Sequence, residues 1–173
     1  MNLGGSSARL VASFGYTADV GGATWSPDGR KPVFAVLNNG PGEPADASAL
    51  FDVSADGRGL HRITSWDTKG VISSPAFSPD GKLVLVWIRP QDVDFGGDYF
   101  TIHPDGSHRR RLTNFPAGTN TGNARWSPDG KWIVFANTGI GGNDDLFVMR
   151  PDGSHISPLT RTAAWESAPT WVP

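Results

Sequence analysis

The sequence lacks cysteine altogether, in a chain of 173 residues. This absence excludes disulfide bonds, thiolate nucleophiles and cysteine-ligated metal sites, and it leaves the cellular compartment undecided. No hydrophobic run approaches the roughly 20 residues that a membrane-spanning helix needs, so we predict no membrane insertion. The first residues show neither a basic start nor an apolar core, so no signal peptide is visible and the localisation stays unassigned.

A strong excess of charge is missing as well. The formal net charge is −2, which provides no positive field for nucleic acid, and we predict no nucleic-acid partner. Hydrophobic residues make up only 38% of the chain, whereas it holds 22 glycines and 14 prolines. This composition is typical of a chain dominated by turns.

A five-residue turn motif, an aromatic residue followed by Ser-Pro-Asp-Gly, occurs three times, at Trp25–Gly29, Phe77–Gly81 and Trp126–Gly130. Proline presets φ for the first central position of a type I turn, aspartate follows it, and glycine takes the left-handed position that ends the turn. The three aspartates lie in different units, too far apart to form one catalytic site. The residues assigned to a structural turn role are Asp28, Gly29, Asp80, Gly81, Asp129 and Gly130.

The repeat unit is about fifty residues long. The corner aspartates of the motif are 52 and 49 residues apart, and a second set of Asp-Gly corners, at Asp56, Asp105 and Asp152, recurs after 49 and 47 residues. The segments that follow the first corners are rich in β-branched and aromatic residues, as strands are. Units of this length with four strands each are typical of β-propeller blades.

The pattern predicts an all-β protein in which residues 1–173 form a single propeller segment. One unit reads as inner strand a, the proline-containing corner, strand b, a variable loop, strand c, the second corner and outer strand d. Residues 8–22 are expected to hold the d-type strand and connection of a preceding blade, and residues 168–173 an orphan a-type strand. The three four-stranded antiparallel blades are expected at residues 23–64, 75–113 and 123–160.

The three corners, together with Phe147–His155 and the following Leu159-Thr160, resemble the TolB-type, WD40-like propeller repeat called PD40. The resemblance covers residues from about 8 to 173. It implies four-stranded blades around an axis, as in six-bladed TolB propellers, and relatives of this type are often periplasmic or exported. Since only three complete blades are present, the chain is similar to half of a six-bladed TolB-like propeller.

Three blades alone would expose two apolar faces, more than a monomer normally leaves open to water. Two copies could cover these faces by closing a six-bladed ring as a homodimer. Alternatively, the missing blades could belong to a longer protein. We expect completion by homodimerisation, and both arrangements stay open.

The antiparallel strands place both kinds of corner on one side of the blades, and the b–c loops and d–a connections on the other. Aromatic side chains mixed with carboxylates and amides suit a peptide or a sugar, and we expect this loop face to bind a protein or peptide partner. The candidate ligand-binding residues are Trp66, Asp67, Arg89, Asp92, Asp94, Asp98, Asn120, Asn143, Asp144, Trp165 and Glu166.

Other chemistry is not indicated by the sequence. The pairs Asp92/Asp94 and Asp144/Asp145 do not follow the spacing of a calcium loop, and we predict no metal and no cofactor. No Gly-x-Ser-x-Gly motif is present, so no catalytic residue is assigned. The basic run Arg109–Arg111 is interpreted as charge on an outer strand.

The sequence therefore predicts a non-enzymatic propeller scaffold that binds a protein or peptide through its loop face. Two alternatives stay open. The chain could be the propeller domain of a carbohydrate-active enzyme or the gating domain of a peptidase, since related propellers can serve as lid domains of serine peptidases. It could also be an assembly fragment with no independent function.

Overall fold

The computed structural model describes residues 10, 12–14, 18–38, 47–67, 69–93, 96–116, 118, 119, 121–137 and 144–171. Within that part of the chain lie three four-stranded antiparallel sheets, each with its strands in sequence order. The all-β, three-blade prediction is thereby confirmed. Blade 1 contains β1 (Ala18–Trp25), β2 (Pro32–Asn38), β3 (Ala47–Asp52) and β4 (His61–Arg62). Blade 2 contains β5 (Gly70–Phe77), β6 (Val84–Pro90), β7 (Asp98–Ile102) and β8 (Arg110–Arg111). Blade 3 contains β9 (Thr121–Trp126), β10 (Ile133–Asn137), β11 (Asp145–Met149) and β12 (Ser157–Pro158).

Each inner strand carries a β-bulge three residues before its final aromatic. The bulge residues Gly22, Ser74 and Asn123 have φ values of 46°, 51° and 45°, and the ladder to the next strand shifts register there. The extra residue lets pairing continue on the far side of the bulge. For this reason β1 begins at Ala18, inside the stretch that the sequence assigns to a connection, rather than at Ala23.

The proline-containing corners share one hydrogen-bond network, which blade 2 illustrates. The Ser78 hydroxyl donates to Asp80 Oδ1 at 2.7 Å, and the backbone N–H of Lys82 donates to the same oxygen at 3.1 Å. The N–H of Leu83 donates to Ser78 Oγ at 3.0 Å. The corners of blades 1 and 3 repeat all three bonds. Each aspartate is thus fully engaged by its own turn.

Apolar clusters between the blades form the core. A sheet with nonpolar side chains on both faces must bury both, and blade 2 does so between its two neighbours. The cluster between blades 1 and 2 consists of Val33, Ala35, Leu50, Ile63, Ile72, Val84, Val86, Ile88 and Ile102. The cluster between blades 2 and 3 consists of Ala76, Leu85, Tyr99, Leu112, Ala124, Trp126, Ile133, Phe135 and Met149.

Glycines in the second corners allow each blade to dock closely on the one before it. A Cβ on Gly106 would lie 2.1 Å from the carbonyl oxygen of Ile63, and one on Gly153 would lie 2.2 Å from that of Leu112. Both glycines have a positive φ, 83° and 82°. Side-chain bulk and conformation therefore both require glycine at these two points.

The N-terminal segment covers the far face of blade 1. The ring of Phe14 lies 6.0 Å from that of Phe34 and 5.2 Å from that of Phe51, edge to face. Phe115, which follows blade 2, packs on the equivalent Phe135 of blade 3 with 5.9 Å between ring centroids, in a tilted arrangement. Phe14 therefore occupies the position that a residue from a preceding blade would occupy.

The C-terminal segment continues the repeat beyond blade 3. The indole Nε1 of Trp126 donates to the carbonyl of Ala76 in the preceding blade at 3.1 Å, and that of Trp171 donates to Arg125 at 3.2 Å. Ala168, three residues before Trp171, has a φ of 51°, like the bulge residues of the inner strands. Ala168–Trp171 thus lies where the inner strand of a fourth blade would lie.

The two terminal segments differ from the predicted strands in one respect. Neither residues 10 and 12–14 nor residues 168–171 belong to a β-strand. A d-type strand pairs only with strand c and an a-type strand only with strand b, and both segments lack these partners. Of the other residues in the predicted segments 8–22 and 168–173, Ala18–Gly22 belong to β1. The remaining ones lie outside the described part of the chain.

The expectation of two open apolar faces also needs correction, because the terminal segments cover part of both. Val134, on the outer side of blade 3, is only 4% exposed. What stays open on blade 1 is Val20 and Trp25, which are 56% and 55% exposed. Leu159 is left open on the other side, at the position that Leu112 fills in blade 2.

Replacing Gly106 by alanine tests the close docking of the blades. We expect Gly106→Ala to lower the free energy of unfolding by roughly 1–3 kcal/mol more than Gly118→Ala, because the added methyl would overlap a backbone carbonyl. Gly118 has the same φ of 83° and nothing within 4 Å of a Cβ, so it controls for backbone strain. Urea unfolding of both variants measures the difference, and equal losses would show that the blades do not meet here.

The corner aspartates predict acid sensitivity. The serine hydroxyls, followed by the backbone N–H groups, hold the pKa of Asp28, Asp80 and Asp129 below its ordinary value. A lowered pKa in the folded state adds stability above the ordinary pKa of about 3.9, and this stability is lost as the pH falls. We expect the urea midpoint to drop between pH 5 and pH 3, and to drop less in Asp129→Asn. An identical drop in that variant would contradict this account.

Candidate functional site

Asp98, at the start of β7, is bound on both oxygens. Oδ1 accepts hydrogen bonds from the Thr113 hydroxyl at 2.7 Å and from the Phe115 N–H at 3.0 Å, and Oδ2 pairs with Arg111. The residue is 8% exposed. A carboxylate held in this way fixes strand c to the segment after strand d. Asp98 therefore serves the blade rather than presenting a free charge on the loop face.

A threonine two residues after strand d recurs in all three blades and binds strand c. The hydroxyls of Thr64, Thr113 and Thr160 each accept a backbone N–H from strand c of their own blade, at 2.9–3.0 Å; the donors are Leu50, Tyr99 and Leu146. In blade 3, Asp145 Oδ1 accepts the N–H of Thr162 at 3.1 Å, as Asp98 accepts that of Phe115. Asp98 and Thr113 are 15 residues apart, as are Asp145 and Thr160, a spacing that could have identified this role from the sequence.

Asp67 joins blade 1 to blade 2. Its Oδ2 lies 2.6 Å from Arg109 Nη1, and its Oδ1 accepts the Lys69 N–H at 2.9 Å. Partial burial acts to raise the pKa of Asp67, but the Lys69 N–H and the Arg109 guanidinium outweigh it, and the pKa lies below its ordinary value. The guanidinium also covers the Phe100 ring, 4.9 Å from its centroid. Asp67 is therefore a charged anchor between two blades.

A cleft of about 650 Å³ opens beside this ion pair, at the outer rim between blades 1 and 2. Trp66 lines it and packs on Phe51, with 5.7 Å between ring centroids. The guanidinium of Arg62 lies 5.7 Å from the Trp66 centroid. The indole Nε1 is buried and has no hydrogen-bond partner among the described residues. A smaller cavity of about 170 Å³ is lined by both Asp67 and Asp98 and by their arginine partners, Arg109 and Arg111.

The candidates on blade 3 form a second group. The Glu166 N–H donates to the Asp144 carbonyl at 2.9 Å, and the Glu166 carboxylate accepts from the hydroxyls of Thr160 and Thr162. Trp165, which directly precedes Glu166 in the sequence, is 71% exposed. It is the most exposed large aromatic side chain in the described part of the chain.

The remaining candidates are scattered. Arg89, near the end of β6, donates to the Val93 carbonyl in the loop that follows, and Asp92 in that loop is exposed. The structure thus brings Trp66, Asp67 and Asp98 together at one rim, and Asp144, Trp165 and Glu166 at another. Three candidates, Asp94, Asn120 and Asn143, lie outside the described residues.

Arg109 and Arg111 are site residues that the sequence interpretation missed, since it assigned them only to charge on an outer strand. Each binds a candidate aspartate, Asp67 or Asp98. Their alternation along β8 directs Arg110 the other way, toward the Asp152 carbonyl of blade 3. The available signal was complementary charge, on neighbouring blades for Asp67 and Arg109 and on neighbouring strands of one blade for Asp98 and Arg111.

The described residues contain no group of three or more histidine or carboxylate side chains arranged to hold a metal ion. They also contain no helix with the length and apolar character needed to cross a membrane.

Two curated proteins are similar to this chain in sequence. It is 30% identical over 118 residues to dipeptidyl-peptidase 5 of Porphyromonas endodontalis, and 27% identical over 143 residues to the uncharacterized peptidase YuxL of Bacillus subtilis. These matches cover 68% and 65% of the chain, but only 16% and 21% of the relatives. No protein-family model matches the chain, so its membership of the PD40 repeat family stays a prediction.

Solved structures establish the TolB-like propeller fold. TolB from Acinetobacter baumannii superposes with a TM-score of 0.67 at 20% identity, over 86% of this chain and 34% of that one. An oligogalacturonate lyase in complex with manganese gives 0.67 at 17% identity, over 88% and 44%. Puromycin hydrolase gives 0.68 at 18% identity, over 87% and 24%.

The prediction that the chain does not belong to an enzyme is wrong. Both sequence relatives are named peptidases, and the structural neighbours include a hydrolase and a lyase. The prediction relied on the absence of a nucleophile motif. That absence carries little weight in a segment that spans only 16–21% of its sequence relatives.

Replacing Asp98 should destabilise the fold, whereas replacing Asp92 should not. We expect Asp98→Ala to lower the free energy of unfolding by about 2 kcal/mol, because it leaves Arg111 and two hydrogen-bond donors without their partner. Asp92→Ala removes the same charge from an exposed loop position and should change stability by less than about 0.5 kcal/mol. Urea unfolding measures both, and equal effects would contradict the role of Asp98.

Proposed function

We propose that this chain is part of the propeller domain of a peptidase-type hydrolase. In that protein it controls the access of peptides to a catalytic domain. The observation that carries the proposal is the 30% identity to dipeptidyl-peptidase 5 over 118 residues. The similarity of fold to puromycin hydrolase supports it. A prolyl endopeptidase, for which inter-domain dynamics has a role in catalysis and specificity, is a further structural neighbour, with a TM-score of 0.56 at 20% identity over 86% of this chain and 23% of that one.

The two ends of the blade stack agree with a place in a larger ring. Trp25 holds the position that Trp126 holds in blade 3, yet it is 55% exposed instead of 9%. Val20 is likewise 56% exposed, whereas its equivalent Ile72 is 3% exposed. An inner strand of another blade would cover both residues, and its backbone carbonyl would accept the Trp25 indole N–H.

Self-association into a six-bladed ring is a less favourable way to cover these residues. In such a ring, β1 of the second copy would lie against blade 3. Ala168–Trp171 already lies there, fixed by the hydrogen bond from the Trp171 indole to Arg125. Two copies could close the ring only if this segment left its position. We therefore favour further blades of the same kind as the covering element.

The loop face is the surface that we assign to peptides and to the catalytic domain. Asp67, Asp98 and Glu166 are engaged within the blades, so they shape this face without offering free charges. Trp165 and Asp92 are the exposed candidates, and an aromatic ring beside carboxylates suits a peptide chain. A carbohydrate-active role has less support, because no residue arrangement in the described part of the chain favours it.

The test is amide hydrolysis by the polypeptide translated from the full reading frame that contains this segment. We expect it to release coumarin from dipeptidyl-coumarin substrates, and a serine-hydrolase inhibitor to abolish the release. Trp165→Ala should change kcat/KM for a peptide of about ten residues at least threefold more than for a dipeptide, because only the longer substrate must pass the propeller.

Lys82→Ala is the matched control, since Lys82 is exposed on the corner face. It should change the two substrates equally. Absence of amide hydrolysis by the full polypeptide would overturn the peptidase proposal. Equal effects of Trp165→Ala on long and short substrates would overturn the role of the loop face in access.

A further inference from the structure

A groove of about 760 Å³ lies on the corner face between blades 1 and 2, on the side away from the candidate residues above. Its walls are the proline-containing corners of both blades and the second corner of blade 2. Phe77 and Val33 provide apolar lining. The charged residues that line it are four aspartates and two basic residues, Asp28, Asp52, Asp80, Asp105, Arg30 and Lys31.

Asp52 is the distinctive group in this groove. It closes strand β3 and is 8% exposed, and its Oδ2 lies 3.0 Å from Lys31 Nζ. Oδ1 is buried and has no hydrogen-bond partner in the described part of the chain. The nearest candidate donor, His61 Nδ1, is 3.7 Å away on a side chain that is 66% exposed. An oxygen in this state is poised to accept a hydrogen bond that the protein itself does not supply.

The equivalent positions at the contact between blades 2 and 3 indicate which donor is missing. There Arg110 takes the place of His61, and its Nη2 donates to the carbonyl oxygen of Asp152 at 3.1 Å. The residue equivalent to Asp52 is Thr101, which is uncharged. Between blades 2 and 3, therefore, the Arg110 guanidinium donates to the second corner of blade 3, at Asp152. Because Thr101 replaces Asp52, there is no carboxylate at this position that lacks a donor.

We propose that the groove between blades 1 and 2 binds a guanidinium group from an arginine side chain of a peptide ligand. The guanidinium would lie as Arg110 lies between blades 2 and 3, donating to the Asp105 corner carbonyl and to Asp52 Oδ1. Its planar set of donors can serve two acceptors at once, which the point charge of an ammonium group does less well. The aliphatic stem would pack on Phe77. The exposed ring of His61 would swing aside to admit it.

This inference does not depend on the proposed peptidase function, because it concerns the opposite face of the blades. The excess of carboxylates over basic side chains in the groove attracts a cation. Lys31 retains its bond to Oδ2, so the ligand adds a donor instead of displacing one.

The experiment is an NMR titration of the isotopically labelled chain with two short peptides, acetyl-Gly-Arg-Gly-amide and its citrulline counterpart, and with free arginine. Citrulline keeps the shape of arginine and removes the charge. We expect the arginine peptide to shift the backbone signals of Lys31, Asp105 and Gly106 at millimolar concentrations. It should bind at least tenfold more tightly than the citrulline peptide. Free arginine should bind less tightly than the peptide, and tighter binding by free arginine would assign the site to the amino acid and overturn the peptide ligand.

Two variants and one control make the test specific. Asp52→Asn should weaken binding at least tenfold, whereas Asp56→Asn, an equal charge change at a corner aspartate outside the groove, should change it less than twofold. His61→Arg should abolish binding, because it places the chain's own guanidinium in the groove as Arg110 is placed. This variant keeps the test decisive if Asp52→Asn fails to fold.

The proposal is overturned if the arginine and citrulline peptides bind equally, or if neither shifts these signals. It is also overturned if folded Asp52→Asn and Asp56→Asn bind alike, or if His61→Arg binds as the parent chain does.

Discussion

Each blade in this chain has apolar side chains on both faces, and the contact that covers one blade with the next determines the rest of the structure. Hydrophobic burial supplies the driving force but has no preferred direction. Direction comes from two polar features. The Trp126 indole donates to a single carbonyl of the preceding blade, and Gly153 allows a corner to rest on the backbone of Leu112. Neighbouring blades therefore meet in one orientation, and the contacts between them recur at equivalent places.

This regular frame makes the departures from it informative. Between blades 2 and 3, Thr101 is uncharged, and Arg110 donates to the Asp152 carbonyl of the next blade. Between blades 1 and 2, Asp52 and His61 stand in the same places and leave a buried carboxylate oxygen without a donor. At the outer rim of the same two blades, Asp67 pairs with Arg109. The interface of blades 1 and 2 is thus where this chain differs most from its own repeat.

The turns and blades could be predicted because their causes are local. Proline, aspartate and glycine specify the corners within five residues, and the spacing of the corners then fixes the strand order. The left-handed conformations of Ser74 and Asn123 could not be predicted, because no local feature requires glycine-like geometry there. The role of Asp98 depends on Arg111 and Thr113, which become its neighbours only after strands c and d have paired. The loop-face prediction treated such aspartates as free charges for that reason.

The central claim is that the indoles of Trp126 and Trp171 each fasten their segment to the blade before it, and that Trp25, which is 55% exposed, is the equivalent tryptophan that a further blade would cover. Blade 2 has Phe77 at this position. Hydrogen exchange of the indole N–H groups of the seven tryptophans, followed by NMR, tests this most directly. The account predicts slow exchange for Trp126 and Trp171 and exchange at the rate of a free indole for Trp25. Exchange of Trp126 as fast as that of Trp25 would contradict it.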